Sequence, residues 1–312
     1  MPVSKVTCLL PVYNAGRYLR QALDSVLAQS YQDFEIVAVD DGSTDDSLQI
    51  LKECATRDTR VKVISRPNTG IVGALNDGLR ECRGELVARM DADDVCLPDR
   101  LVRQVEFMAA HPDCVALGTD VFYTDPEGRR LIRHRPALEH AGILCQLLEG
   151  NGGALIHPSV MFRRSALDAV GGYRDRYQWI EDLDLYIRLA QIGTLANVPE
   201  VHLHYRQHLQ SVNRTRERKE NLRQEIVDAF RSAHQLPPLT QVGVREADKL
   251  TPADWRRHWA YDAARGGMWE AAHENARLAL LAAPLDWRNW RCWRYIRNVR
   301  RQSAATCDGG CE

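Results

Sequence analysis

The sequence predicts an α/β protein with a doubly wound, mainly parallel sheet and a C-terminal helical region. One repeated pattern leads to this fold class. Short apolar runs, each followed by a loop and by apolar residues at helical spacing, succeed one another through the first third of the chain. Such strand–loop–helix units build parallel sheets, and right-handed crossovers gather the loops that follow the strands on one edge. Ligands bind at that edge.

The first part of the chain supplies the units of the parallel sheet. In chain order the predicted elements are strand Lys5–Val12, ended by Pro11; helix Tyr18–Leu27; strand Phe34–Val39; helix Ser47–Ala55, capped by Ser43 or Thr44; strand Val61–Ile64; a helix from Asn68-Thr69-Gly70 through Leu79; and strand Leu86–Ala88. The loops Pro11–Gly16, Asp40–Asp46, Arg66–Gly70 and Asp91–Asp94 are therefore expected at one sheet edge.

The middle of the chain mixes helices and strands. In chain order we expect helix Leu101–Met108, strand Val115–Phe122, a hairpin turn at Asp125–Gly128, a loop at His134–Ala141, helix Ile143–Leu148, strand His157–Phe162, a helix capped by Ser165 and ending at Val170, a stretch Trp179–Leu185 that leads into a helix through Tyr186, Leu189 and Ala190, and edge strand Val198–Tyr205. The predicted organisation is a domain over 1–210, a charged helix and linker over 211–240, and a helical region over 241–312.

The bulk composition is that of a soluble globular protein. Its 312 residues are 45% hydrophobic and 27% charged, and the net charge of −1 gives no reason to expect nucleic acid as a partner. We see no signal peptide and no apolar run long enough to span a bilayer. The nine scattered cysteines favour reduced thiols, and Cys307 and Cys311 read as part of a frayed tail. A cytoplasmic location follows as an expectation.

An acidic cluster follows the apolar run Leu86–Ala88. Asp91 and Asp93 are two positions apart, so in an extended chain both side chains point to the same side. Two such carboxylates can hold Mg²⁺ or Mn²⁺ while leaving positions open for phosphate oxygens. The alternative is that Asp94 or a neighbour caps the helix beginning at Pro98-Asp99-Arg100. This stretch alone does not decide between a metal site and a cap.

The chain resembles the family 2 glycosyltransferases, which have the GT-A fold. The resemblance extends over approximately residues 4–210, and it is specific because of the order and spacing of several short stretches. The stretches are Pro11-Val12-Tyr13-Asn14, Val39-Asp40-Asp41-Gly42-Ser43-Thr44-Asp45, Asn68-Thr69-Gly70 with Ala74 and Asn76, Met90-Asp91-Ala92-Asp93-Asp94, His157-Pro158-Ser159-Val160, Gly171-Gly172-Tyr173-Arg174 and Glu181-Asp182-Leu183-Asp184-Leu185.

The resemblance implies an inverting transfer from a nucleotide-sugar donor, with UDP as the first choice of nucleotide, and a Mn²⁺ or Mg²⁺ ion. By position, the implied donor-binding residues are Pro11, Tyr13, Asn14, Asp40, Asp41, Gly70 and Asp91. Asp41 would accept a hydrogen bond from the edge of the base. The alternative for Asp41 and the other turn aspartates is ordinary turn and cap chemistry.

The resemblance also implies metal and catalytic residues. Asp93 would bind the metal directly, with Asp91 near the ribose or the metal's water shell. His208 matches a position that supplies a metal or diphosphate contact in some members, although a structural histidine is the alternative. Asp182 would be the base that takes the proton of the acceptor hydroxyl, with Glu181 as the alternative base. Without the resemblance, both carboxylates would read as an ordinary helix N-terminus, where the dipole favours the ionised form.

Two further residues and one missing motif complete the comparison with the family. Arg206 is a candidate for phosphate oxygens, and His157 lies either near the acceptor or packed on Pro158. We find no Gln-x-x-Arg-Trp stretch after Asp182, which favours the addition of one sugar per encounter. The expected acceptor is a glycan or lipid-linked glycan. A nucleotidyltransferase and an inactive sugar-nucleotide-binding scaffold are the alternatives.

The C-terminal region carries two repeating sets of residues. Ala253–Leu281 predicts two helices joined at Gly266-Gly267. After them, tryptophans recur every three residues from Trp287 to Trp293, and arginines do the same from Arg288 to Arg300. A three-residue step drifts around a helix, so these stripes spiral and form no clean amphipathic face. Peripheral contact with the inner face of a membrane and packing on the catalytic domain are both open interpretations.

Overall fold

In a computed structural model, the chain is described over residues 5–209, 216–237 and 250–307, with the side chains of 216–220 and 300–307 left aside. The described residues fall into two compact units. The first comprises the described parts of 1–121, 135–205 and 212–244, and the second those of 122–134, 206–211 and 245–312. The predicted division at residues 210 and 240 stays a prediction. Residues 213–215, Pro238 and Cys311, which belonged to the predicted charged segment, linker and tail, lie outside the described residues.

One mixed sheet organises the first unit. The strands are β1 (Val6–Val12), β2 (Phe34–Asp40), β3 (Val61–Ser65), β4 (Leu86–Arg89), β5 (Val95–Cys96), β6 (Cys114–Thr124), β7 (Arg130–His134), β8 (Met161–Arg163) and β9 (Thr194–Arg206). Their order in the sheet is β3-β2-β1-β4-β8-β6-β9-β5, with β7 also paired to β6. Strands β1 to β4 pair in parallel, whereas β8 pairs antiparallel with β4 and β6, and β5 pairs antiparallel with β9.

The parallel register brings the predicted loops to one edge. Val12 lies opposite Asp40, and Asp40 lies opposite Ser65, so β1, β2 and β3 end side by side. On the other side of β1, β4 ends where the Met90 amide N–H donates to the carbonyl of Leu9 (3.1 Å). The loops after all four strands therefore share the sheet edge that the sequence predicted.

Helices cover the sheet of the first unit. They are α1 (Gly16–Leu27), α2 (Ser47–Arg57), α3 (Ile71–Glu81), α4 (Arg100–Ala110), α5 (His140–Leu148), α6 (Arg164–Val170), α7 (Glu181–Leu189) and α8 (Arg216–Ala233). In α3, Val72, Ala74 and Leu75 are buried, as the helical spacing requires. A Cβ at Gly78 would lie 2.2 Å from the side chain of Leu9, so this glycine lets α3 approach β1 closely.

Two predicted helix caps are wrong. Helix α2 has Asp46 at its N-cap, and Ser43 instead accepts a hydrogen bond from another loop. Thr44 also lies outside the cap position. Helix α6 begins directly after Arg163, which leaves Ser165 inside the helix. Serine and threonine are good caps by type, but neighbouring loops compete for the same hydroxyl groups.

Three predicted strand boundaries also need correction. Only Met161–Arg163 is a strand within the predicted strand His157–Phe162, because His157–Ser159 forms a 3-10 turn around Pro158. Strand β7 contains His134, which was predicted as part of a loop. Strand β9 lies between β6 and β5 and is therefore not an edge strand. The two residues of β5 are too few to give a strand signal in the sequence.

The second unit packs three helices against the β6–β7 hairpin. The helices are α9 (Pro252–Arg265), α10 (Trp269–Ala282) and α11 (Trp287–Cys307), which confirms the predicted pair joined at Gly266-Gly267. Thr251 and Asp254 form a capping box at the start of α9. The buried core of the unit comprises Leu131, Trp259, Ala260, Ala263, Ala264, Ala271, Ala272, Ala276, Cys292 and Ile296. Within the described parts of the chain, no helix is both long and apolar enough to cross a bilayer.

Candidate active site

The loop after β1 is held to the loop after β2. The amide N–H of Asn14 donates to Ser43 Oγ (3.0 Å), and the amide of Thr44 donates back to Asn14 Oδ1 (2.8 Å). Asn14 has φ 49°, a left-handed conformation that asparagine tolerates better than most residues. The amide of Gly16 donates to Asp45 Oδ2 (2.9 Å). Asn14 therefore acts in this structure as a bridge between two of the predicted donor loops.

Asp41 organises the loop after β3. Its two carboxylate oxygens accept from the amides of Thr69 (3.1 Å) and Gly70 (2.8 Å), and Arg66 Nε lies 3.4 Å from Oδ1. Gly70 has φ 93°, which a residue with a side chain rarely adopts. A Cβ there would also collide with the side-chain amide of Gln178, which lies in the segment before α7. Each carboxylate oxygen can accept more than one hydrogen bond, so Asp41 keeps capacity for a ligand.

The other predicted donor residues differ in exposure. Asp40 is buried, and its carboxylate accepts from the Ser43 amide (3.3 Å) and the Ser65 hydroxyl (3.4 Å). Pro11 is buried within β1, which continues to Val12. Tyr13, by contrast, is 54% exposed beside these loops. Tyr13 therefore has an aromatic surface free to meet a ligand, whereas Pro11 and Asp40 shape the loop ends.

The acidic cluster after β4 fits a divalent cation. One carboxylate oxygen each from Asp91, Asp93 and Asp94 lies within 4.8 Å of the others. An all-oxygen set of this kind suits Mg²⁺ or Mn²⁺. The capping alternative is wrong, because β5 follows the cluster and the N-cap of α4 is Asp99. These three residues therefore do not start a helix.

Arg89 is a buried cation beside the cluster. It ends β4 with only 4% of its surface exposed, and its Nη1 lies 2.6 Å from Asp91 Oδ2. Burial raises the pKa of the Asp91 carboxyl, and the positive charge of Arg89 opposes that rise. Arg89 also acts electrostatically on Glu181 and Asp182. The carboxylates that follow β4 and those that begin α7 therefore share one buried cation.

The two predicted catalytic carboxylates lie at the N-terminus of α7. Burial, reinforced by the charge of Asp182, raises the pKa of Glu181 to about 7. Glu181 Oε2 is buried without a hydrogen-bond partner among the described residues. Asp182 Oδ1 accepts from the Leu183 amide (2.8 Å), and a Cβ at Gly152 would lie 3.3 Å from its other oxygen. Burial nevertheless raises the pKa of Asp182, so the predicted effect of the helix dipole does not prevail.

His157 belongs to a buried aromatic cluster behind the carboxylates. Its Nε2 lies 2.8 Å from the hydroxyl of Tyr173, and its ring meets Phe162 and Tyr186 at 6.5 and 6.1 Å between centroids. Burial, with Arg89 nearby, holds the pKa of His157 well below its usual range. The neutral imidazole therefore packs the floor of the site, which favours the structural interpretation of His157.

Two predicted phosphate or metal residues lie in the second unit. Arg206 is 5% exposed, and its Nη1 donates to the carbonyl of Pro126 (3.0 Å). His208 is assigned to the same unit and is not part of the carboxylate group formed by Asp91, Asp93 and Asp94. The structure therefore gives Arg206 a role in holding the β6–β7 hairpin, and the metal role of His208 stays a prediction.

Sequence reasoning assigned no role to Arg89 or Tyr173. Tyr173 is fixed by Asn76, whose side chain accepts from the Tyr173 amide (3.0 Å) and donates to its carbonyl (2.9 Å). Asn76 and Tyr173 both lie in stretches that carried the family resemblance, so the structure joins two separate parts of that pattern. Arg89 follows an apolar run and precedes three aspartates, and this juxtaposition was the available signal.

Comparison with known proteins places this site in a family. Residues 7–171 match the model described as Glycosyl transferase family 2. The putative glycosyltransferase EpsE of Bacillus subtilis is 34% identical over 193 residues, which cover 61% of this chain and 68% of EpsE. The amylovoran biosynthesis glycosyltransferase AmsE of Erwinia amylovora is 34% identical over 215 residues, which cover 67% of this chain and 78% of AmsE.

Solved structures share the fold. S. aureus TarS 1–349 in complex with UDP-GlcNAc aligns with 96% of this chain and 92% of its own, with a TM-score of 0.59 at 16% identity. The mannosyltransferase PcManGT of Pyrobaculum calidifontis, in complex with GDP-Man and Mn²⁺, aligns with 97% of this chain and 80% of its own, with a TM-score of 0.52 at 18% identity. The expected GT-A fold with C-terminal helices is confirmed. Together, the family model and the two relatives show that the chain is a member of the family 2 glycosyltransferases.

Proposed function

We propose that this glycosyltransferase is metal-dependent and inverting, and that it transfers one sugar per encounter from a UDP-sugar to a hydroxyl of a glycan or lipid-linked glycan. The observation that carries the proposal is the convergence of two sets of carboxylates. Burial is the main cause of the raised pKa of Asp91, which follows β4, and the charges of Asp93 and of Asp182, at the start of α7, add to it. A donor-side group and a candidate base thus lie within electrostatic reach of each other.

The residues divide the reaction between them. The acceptor oxygen attacks the anomeric carbon as the bond from that carbon to the diphosphate oxygen breaks, and the attack from the opposite face inverts the configuration. Asp182 takes the acceptor proton as a general base, with Glu181 as the alternative. Asp91 and Asp93 would hold a divalent ion, which supplies Lewis-acid stabilisation of charge on the departing nucleoside diphosphate. The buried Arg89 keeps the nearby carboxylates compatible with a negatively charged donor.

The donor and acceptor classes rest on the relatives. TarS was solved with UDP and with UDP-GlcNAc, which makes uridine the first nucleoside to test. PcManGT was solved with GDP-Man, so guanosine is the second. The name of AmsE refers to amylovoran biosynthesis, which supports a glycan acceptor here. The lack of a Gln-x-x-Arg-Trp stretch supports a single transfer per encounter.

Substitution of Asp182 tests this assignment. Asp182→Asn keeps the size of the side chain and removes its ability to take a proton. We expect calorimetry to show unchanged binding of the UDP-sugar and an assay of UDP release to show about a 10²- to 10⁴-fold loss of turnover. Asp168→Asn, on the exposed surface of α6, is the matched control and should keep full turnover. Full turnover by Asp182→Asn together with loss of turnover by Glu181→Gln would move the base to Glu181.

Other outcomes would lead to the alternative functions. Donor binding without turnover in the wild-type protein would favour a sugar-nucleotide-binding scaffold. Release of pyrophosphate from a nucleoside triphosphate and a sugar phosphate would favour a nucleotidyltransferase.

A further inference from the structure

The exposed face of α11 carries aromatic and basic side chains together. Trp287, Trp290, Arg291, Arg294 and Tyr295 line an open depression of about 460 Å³, and we call these five residues the aromatic–arginine face. Leu281, in the last turn of α10, and Leu285, between α10 and α11, are also exposed, Leu285 almost completely (98%). Large apolar side chains exposed next to one another mark an interaction surface more often than chance exposure does.

Burial along α11 explains why this face exists. The exposed fraction falls from 64% at Trp287 to 52% at Trp290, Trp293 is partly buried, and Ile296 is fully buried. This progression is the spiral predicted from the three-residue repeat. Asn289, Cys292 and Ile296 form the buried side of the helix within its own unit. Trp287 and Trp290 are therefore not part of the core to which the rest of the helix contributes.

Helix α11 is strongly basic, although the chain as a whole is not. Residues 287–307 contain six arginines and no aspartate or glutamate, whereas the whole chain has a net charge of −1, so the other residues carry −7. Arg288 is paired with Asp286 (2.8 Å). Arg291, Arg294 and Arg297 form no ion pair with another described residue. An unpaired cationic stripe on an otherwise acidic chain calls for an anionic partner.

The local contacts suit an interface of low polarity. The indole N–H of Trp290 already donates to the carbonyl of Pro284 (2.8 Å), so moving this ring out of water strands no donor. The guanidinium of Arg291 lies 5.1 Å from the centroid of the Trp287 ring. Such stacking lets the guanidinium stay in a polar, hydrated layer while the ring enters a less polar one.

We propose that the aromatic–arginine face binds the surface of an anionic lipid bilayer. Tryptophan and tyrosine prefer the headgroup region, arginine binds lipid phosphates, and exposed leucines enter the acyl boundary. Leu281 and Leu285 argue against a nucleic acid, which offers no apolar surface of that kind. The charge of the helix argues against a second copy of the same face, because the two copies would repel each other. This binding does not depend on the donor or acceptor proposed above.

Vesicle sedimentation with the full chain tests the proposal. We expect binding to phosphatidylglycerol vesicles, much weaker binding to phosphatidylcholine vesicles, and weakening as salt is raised. Arg291→Glu/Arg294→Glu should lower the partition coefficient at least about 25-fold, because each arginine near an anionic surface contributes about fivefold. Trp287→Ala/Trp290→Ala should lower it about tenfold.

The controls match these changes elsewhere on the protein. Arg57→Glu/Arg83→Glu makes the same change of charge at exposed positions of the first unit, and Ile192→Ala removes an exposed apolar group there. Both should bind vesicles within about twofold of wild type. The proposal is wrong if wild-type protein stays in the supernatant with phosphatidylglycerol, or if the control variants lose as much binding as the α11 variants. It is also wrong if a single-stranded oligonucleotide is bound through the same residues while vesicles are not.

Discussion

Acidic side chains serve opposite purposes in two regions of the first unit. In the loop after β2, Asp41 and Asp45 accept hydrogen bonds from backbone amides of their own loop and of the segments that follow β1 and β3. Although partial burial acts against it, hydrogen bonds from Ser47 and the Gly16 amide lower the pKa of Asp45. Around the start of α7, burial prevails and raises the pKa of both Glu181 and Asp182. Both regions contain carboxylates, but they differ in how many N–H groups donate hydrogen bonds to those carboxylates.

This difference is what we expect between residues that hold the site and residues that react. A carboxylate that accepts two amide bonds stabilises its loop and stays ionised. A carboxylate that is buried with few donors binds a proton near neutral pH, which a general base requires. We therefore propose that the loop aspartates position the donor and that the α7 carboxylates perform the chemistry.

Substitution of Asp93, the proposed metal ligand, should show the largest effect. Asp93→Ala removes one of the three aspartates of the acidic cluster and should weaken metal-dependent binding of a nucleoside diphosphate at least about 100-fold. The free energy of unfolding should change little. Calorimetry with and without Mn²⁺ measures the binding, and urea unfolding measures the stability. Normal Mn²⁺-dependent binding by the variant would remove Asp93 from the metal site.

Asp41 should behave as a structural loop residue. Asp41→Ala leaves the amides of Thr69 and Gly70 without their acceptor and should lower the free energy of unfolding by about 3 kcal/mol. Asp41→Asn keeps one acceptor oxygen and should lose about half of that amount. Urea unfolding at neutral pH measures both. Equal stability of the wild type and Asp41→Ala would show that the loop does not depend on this carboxylate.

Substitution of Glu181 should raise the free energy of unfolding, whereas substitution of Asp41 should lower it. Because its pKa rises from 4.5 to about 7 on folding, the folded protein loses stability as pH rises through that interval. Glu181→Gln should therefore raise the free energy of unfolding by about 1 to 3 kcal/mol at pH near 8 and by almost nothing at pH near 4. Unfolding in urea at the two pH values measures the difference. Glu81→Gln, at the exposed end of α3, is the control, and an equal gain there would contradict the burial argument.

Asp45 should show the smallest effect. Its pKa is lowered, so its contribution is present above the ordinary value of 3.8 and is lost as pH falls through the folded-state pKa. The side chain is exposed, and solvent screening limits the loss in Asp45→Ala to about 0.5 to 1 kcal/mol at neutral pH. The difference from wild type should disappear in acid. A difference that persists at low pH would mean that Asp45 acts by packing.

The sequence predicted the parallel half of the sheet because its signals are local. Each of β1 to β4 is a short apolar run beside a helix with its own buried face, and connection rules then place the loops. The antiparallel half depends on pairing between distant segments. Strand β5 has two residues, and β8 has three after a proline-containing turn, so neither has a periodicity that could be read. The places of β5 and β8 in the sheet depend on strands that are distant in the sequence, so the local sequence does not indicate them.

The candidate site was predictable by residue type and less so by environment. Asp91, Asp93 and Asp182 were named from the family pattern, and the structure brings Asp91 and Asp182 within electrostatic reach. The raised pKa of Asp182 was not predicted, because desolvation depends on packing around α7 that periodicity does not report. Arg89 was missed as a functional residue for the same reason. Its burial follows from the strand that it ends, and its partners come from three separate segments.

Nucleotide binding tests the account most directly. The wild-type protein would be titrated by calorimetry with UDP, GDP, TDP and CDP, each with and without Mn²⁺. The account predicts tight binding of one nucleotide, UDP first, that is lost when the metal is removed. The absence of binding to all four by a protein shown to be folded would contradict the assignment of the loops after β1 to β4 as a donor site.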